Sequence, residues 1–123
     1  MKIIVQNGAT HTLSRKQAEA IVALFPAPWI KSVDSLTFYQ GNGESLHVVH
    51  YPRARAVGLF WPSSLYPQPT AAEATQELLI ALAIATERGN LPPKVSKSMR
   101  VRAEQSVATL LTQCTEVLQQ NDA

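Results

Sequence analysis

This sequence predicts an α+β domain over residues 1–123, and three observations predict it. Leu78 to Ala85 is an uninterrupted run of eight apolar residues inside a strongly helical segment. That helix has no polar face there, so protein must enclose it. The β-rich runs gather between Ser35 and Trp61. Helical patterns stand before and after them, and such segregation along a chain marks the α+β class. The expected packing is a small antiparallel sheet of about three strands, with an N-terminal hairpin as an optional addition. The sheet lies on a buried central helix that two further helices flank.

Lys2 to Gln6 is a short β-rich run followed by Asn7-Gly8, the strongest two-residue hairpin signal. Ala9 to Leu13 either returns as a second strand or leads into the next helix. Ser14 has N-cap chemistry, and Gln17 completes a Ser-x-x-Gln capping box. Ala18, Ile21, Val22 and Phe25 recur at helical spacing until Pro26 and Pro28 end the helix. Ser35 to Gln40 reads as a strand, Gly41-Asn42-Gly43 as a turn, and Glu44 to Tyr51 as the returning strand. Pro52 interrupts the ladder. Ala56 to Trp61 supplies a third strand, closed by Pro62. Short strands joined by tight glycine turns predict an antiparallel meander. After a loop rich in Ser and Pro, Ser63 to Pro69, Thr70 and Glu73 form a second capping box. This helix should run to Arg88, span ~27 Å, and stop at Gly89 before Pro92-Pro93. A third helix, from near Ser96 to Gln119, turns a stripe of Met99, Ala103, Val107, Leu110, Leu111, Cys114, Val117 and Leu118 inward. Asn121 to Ala123 is expected as a frayed tail.

Apolar residues make up 46% and charged residues 16%, which is globular rather than disordered composition. A net charge of +2 points to no class of partner. The single Cys114 excludes an internal disulfide. With no signal peptide visible after Met1-Lys2, the expected location is the reducing cytoplasm. The longest apolar run falls short of the ~20 residues a membrane-spanning helix needs, so no membrane partner is expected.

Few residues carry obvious chemistry. His47 and His50 stand three apart on a strand, where side chains alternate, so they point to opposite faces and cannot share a metal ion. His11 has no acidic or thiol neighbour in sequence. Cys114 lies on the apolar stripe of the last helix and reads as a small buried hydrophobe. The carboxylates form no close pair for general acid–base work. There is no phosphate-cradling loop and no Gly-x-Ser-x-Gly elbow. No catalytic residue, metal or cofactor is assigned. Charge is more informative: Arg88, Lys94, Lys97, Arg100 and Arg102 follow one another with no acid among them. Arg53 and Arg55 make a second basic pair after Pro52. Both groups are candidates for phosphate, nucleic acid or an acidic partner, although a solvated connection between helices explains the first more simply. Phe38, Tyr39, Phe60 and Trp61 read mostly as core. A base-stacking platform needs several aromatics exposed on one face, which alternation grants only to alternate members.

Glu77-Leu-Leu-Ile-Ala-Leu-Ala-Ile84, in a long helix preceded by a helix, strands and a loop, resembles the zincin-like metallopeptidase domain. In that family the long helix often reads Glu-Leu-Leu-His-Glu-Leu-x-His. The resemblance covers residues 14–102, mostly as element order. Its frame places the zinc-binding histidines at Ile80 and Ile84 and the general base at Ala81. Glu104 stands at a spacing from Ile84 that some zincins use for a third ligand. Ile80, Ala81 and Ile84 can neither bind zinc nor move a proton. The resemblance therefore implies a metal-free pseudoenzyme whose cleft is filled with hydrocarbon.

The expected role is a non-catalytic binding module with an unidentified protein or peptide partner. One candidate surface is the groove beside the strand at His47 to Arg55, because an exposed strand edge accepts an extended peptide. The other is the basic Arg88 to Arg102 segment. The binding residues expected are His47, Arg53, Arg55, Arg88, Lys94, Lys97, Arg100 and Arg102. Two alternatives stand beside this reading: nucleic-acid or phosphate binding through residues 88–102, and an enzyme using His47, His50 or Glu44. A homodimer through an exposed apolar face is left open, as is pairing of the N-terminal segment with the main sheet.

Overall fold

Local signals set the helices. The computed structural model describes residues 1–6, 12–31, 33–89, 92 and 94–120. After strand β1 (Lys2–Val5), the Ser14 hydroxyl accepts the Gln17 amide at 3.1 Å, and the Gln17 carboxamide accepts the Ser14 amide at 2.9 Å. This box opens α1 (Arg15–Val22). A short helix α2 (Ala27–Lys31) follows, with Pro28 in its first turn, where the missing N–H would have had no helical acceptor. Pro26 thus stands between two helices and Pro28 lies in the first turn of the second, so the pair does not end helical structure. Thr70 and Glu73 form the predicted second box at 3.1 Å in both directions and open α3 (Ala71–Arg88). Gly89 ends α3 in the left-handed region at φ 74°, which glycine adopts without a Cβ clash. Helix α4 is Lys97–Gln120. Asn121 to Ala123 lie outside the described residues.

The sheet is mixed, not an antiparallel meander. It contains β1, β2 (Ser35–Gln40), β3 (His47–Tyr51) and β4 (Ala56–Trp61) in the order β1-β2-β4-β3. β1 runs parallel to β2 and β2 parallel to β4, while β3 is antiparallel to β4. The Gly41-Asn42-Gly43 turn therefore closes no hairpin, because β4 lies between the strands it was expected to join. Polarity explains the order. β4 reads Ala-Val-Gly-Leu-Phe-Trp and takes a central slot, while β3, with two histidines and a tyrosine, takes the edge. Glu44 to Leu46, expected in β3, precede it outside the ladder.

β1 answers the question of the N-terminal segment by joining the main sheet. Its neighbour is β2 rather than a returning strand, and Thr12 and Leu13 are not extended. Asn7 to His11, which carry the hairpin signal, lie outside the described residues.

Register separates two faces. Ile3, Leu36, Phe38, Val57, Leu59, Trp61 and Val48 share the face that joins the helical core. Every residue from Leu78 to Ala85 is buried, so α3 runs through the interior as expected. It packs against α4, α2 and β3. α4 contributes Ala103, Val107, Cys114 and Leu118 to the same core. The buried Trp61 indole N–H donates to the Thr12 hydroxyl at 3.0 Å, which removes the cost of enclosing it. The chain is thus α+β, with helices on one side of a mixed sheet. Among the described residues, no helix is long and apolar enough to cross a membrane.

Candidate functional site

The candidate site follows from the edge position of β3. An edge strand pairs on one side and presents backbone N–H and C=O groups on the other. His47 and Tyr51 are exposed, and the three residues between them are half-buried. Two adjoining depressions of about 390 and 290 Å³ share Leu46 and Glu77, and the smaller reaches β3. The smaller is lined by Val48, His50, Ile80, Ala81, Ile84 and Val95 among others. The larger adds Glu44, Gln68 and Glu73. Together they make a groove with an aliphatic wall on α3 and a strand edge along its rim.

The histidines divide as alternation requires. His47 shares the face of Phe60, and His50 shares that of buried Val57. The His50 Nδ1–H donates to the Pro92 carbonyl at 2.9 Å, which ties β3 to the connection between α3 and α4. His11 lies outside the described residues. Among the described residues no three His, Cys, Asp or Glu side chains are placed to hold a metal ion. Ile80, Ala81 and Ile84 are 3%, 1% and 2% exposed. They offer no donor atom, so zinc does not fit the place the resemblance gives it.

The basic residues do not form one surface. Arg100 makes a two-pronged contact with Glu77, Nη1 to Oε2 at 2.9 Å and Nη2 to Oε1 at 2.6 Å. Its Nε lies 3.0 Å from Glu104 Oε1. The hydrogen bond to Glu77 raises the Arg100 pKa against the opposing effect of burial, with further coulombic support from Glu77 and Glu104. Arg102 pairs with Glu87. The pairs with Glu77 and Glu87 rivet α4 to α3, and together these contacts leave the acid-free run less positive than the sequence suggests. Lys94 and Lys97 are exposed, and the side chain of Arg88 lies outside the described residues.

Arg53 is exposed on the 3-10 turn Pro52–Ala54. Arg55 is a structural staple instead. It sits at φ 50°, its Nε lies 3.3 Å from Asp34 Oδ1, and its Nη2 donates to the Lys31 carbonyl. The left-handed backbone turns β3 into β4, and the guanidinium ties that turn to the segment preceding β2.

One feature was missed in the sequence. Register places Tyr39, Phe60, His47 and Tyr51 together on the face opposite the helices. Tyr39 and Phe60 stack with centroids 4.6 Å apart, and His47 stacks on Phe60 at 5.4 Å. The strand alternation contained this grouping, but only the β2-β4-β3 order brings the residues into one row. Tyr39 and Phe60 are half-buried and stacked on each other, and only His47 and Tyr51 are exposed, fewer rings than a base-stacking platform needs.

Comparison with models of known protein families found no match, and comparisons with curated proteins and with solved structures found none either. The functional reading therefore rests on this geometry.

Proposed function

We propose that this chain is a non-catalytic binding module that takes up an extended segment along the outer edge of β3. The observation that carries the reading is the strand itself. His-Val-Val-His-Tyr is an edge strand without Lys, Arg, Asp or Glu, beside the aliphatic wall of Ile80, Ala81 and Ile84. Main-chain hydrogen bonds would supply affinity, and alternate side chains entering the groove would supply selectivity. The zincin-like architecture belongs to the same proposal. Its support is a long interior helix beside an edge strand, with hydrocarbon at the three positions where the family carries its chemistry. A reducing cytoplasm suits the single, buried Cys114.

The ion pairs of Arg100 and Arg102 weigh against nucleic-acid or phosphate binding at residues 88–102. Separation of His47 and His50 onto opposite faces leaves the enzyme alternative without the convergence it needs. Random linear peptides selected by phage display test the main reading. Selected peptides should shift the amide signals of His47 to Tyr51 and the methyl signals of Ile80 and Ile84. Selection of no binder, or of peptides that shift only residues remote from β3, contradicts it.

A further inference from the structure

We infer that the segment taken up along β3 is marked by three consecutive side chains: an aromatic ring opposite His47, an aliphatic residue on one side of it, and a Lys or Arg on the other. This inference rests on the strand-addition reading above and names the chemistry of its partner.

The aromatic position comes from the ring stack. Tyr39 on β2, Phe60 on β4 and His47 on β3 stand side by side, with centroids 4.6 and 5.4 Å apart and planes 15° and 4° from parallel. Neighbouring strands lie roughly 4.8 Å apart, so the row advances by one ring per strand. His47 turns one ring face to Phe60 and the other away from the sheet, and the residue is exposed. A strand added at this edge places its opposing side chain one step further along the same row. A planar ring there repeats the contact already made twice within the sheet, and an aliphatic side chain does not. Aromatic pairs across strands stabilise beyond the area they bury. The other end of β3 is closed to such growth. The Tyr51 ring turns inward over Gly58, with Cε2 3.3 Å from where a Cβ would stand on that glycine. The edge therefore has one position that selects a ring.

Alternation sends both neighbours of that ring to the groove side. One comes beside Val48, where Ile80, Ala81 and Ile84 wall the smaller depression and an aliphatic side chain fits. The other comes beside Leu46, which both depressions share. The larger depression is lined by Glu44, Glu73 and Glu77 and by no Lys, Arg or His. Arg100 takes Glu77, but neither Glu44 nor Glu73 is in an ion pair among the described residues. A long cationic side chain passing Leu46 meets these two carboxylates with complementary charge. The order is basic, aromatic, aliphatic for a parallel strand and the reverse for an antiparallel one.

Linear peptides selected by phage display, and shown to shift the amides of His47 to Tyr51, test this by their sequences. They should share the triad in one of its two orders. In one such synthetic peptide, replacing the ring by Leu should weaken binding about 2- to 13-fold. It should also remove the upfield shift that the ring gives the His47 Cδ2 and Cε1 protons. Glu44 and Glu73 are exposed, and Gln at the second keeps the capping box with Thr70. Glu44→Gln with Glu73→Gln should weaken the cationic peptide, abolish its salt dependence, and leave a peptide with Gln at that position unaffected. Peptides that bind β3 without a ring opposite His47, or a Leu replacement without loss, overturn the inference and leave strand addition standing. Unchanged affinity of the double variant for the cationic peptide overturns the basic position. If no selected peptide reaches β3, the strand-addition reading itself falls.

Discussion

Burial pushes the Cys114 thiol up from 9.0 to about 11, because desolvation penalises the thiolate. An unfolded chain's thiol ionises near ~8.5. Between those values the unfolded state has lost a proton that the native state retains, so stability falls as pH rises through that window. Below it the thiol is protonated in both states and contributes no pH dependence. Urea unfolding at about pH 8 and about pH 10.5 should show a larger loss for the wild type than for Cys114→Ala; equal losses contradict this assignment. Gly58 makes a different point. A Cβ there would stand 3.0 Å from the Tyr39 ring, 3.1 Å from Phe60 and 3.3 Å from Tyr51. Gly58→Val should therefore cost about 1–3 kcal/mol by overpacking, read as a lower urea midpoint. Arg100→Gln removes the two-pronged contact to Glu77 at a half-exposed site, so the expected cost is only about 1 kcal/mol. A double-mutant cycle with Glu77→Gln measures it, and a coupling of zero would remove Arg100 from the account of how α3 and α4 hold together.

At the scale of elements, α3 dominates because its apolar run leaves no surface for water. Leu82 is fully buried, and Leu82→Ala should cost about 2–5 kcal/mol through lost burial and a residual cavity. A cost below ~1 kcal/mol, the level expected of an exposed site, would contradict the interior position of α3. This element was legible in the sequence because its signals are local: Thr70 with Glu73 at one end, Gly89 at the other, and unbroken hydrocarbon between. The opposition of His47 and His50 was legible for the same reason, since alternation is a property of one strand. Strand pairing was not. Gly41-Asn42-Gly43 offers the chemistry of a hairpin, but the apolarity of Val57 to Trp61 draws β4 into the centre and displaces β3 to the edge. The basic segment misled in a similar way. Arg100 and Arg102 are paired with Glu77 and Glu87, which lie on another helix and cannot be read from an acid-free stretch. Single-stranded oligonucleotide should accordingly show no binding to residues 88–102 in a filter assay at low salt. Binding that weakens steeply as salt is added would reinstate the nucleic-acid reading.

For the whole molecule, the consequence of this topology is asymmetry. Helices cover one sheet face, while the other bears a row of aromatic rings. At one sheet edge Arg15 donates to the Ile3 carbonyl, and the other edge, β3, borders a groove. The proposed function uses the β3 edge. Residue-resolved amide hydrogen exchange on His47 to Tyr51 tests this assignment most directly. In dilute protein, alternate amides of β3 should exchange fast where they face outward and slowly where they bond to β4. With a selected peptide, the fast set should become slow while the amides of β1 stay unchanged. Exchange at β3 that is insensitive to every selected peptide would contradict the account.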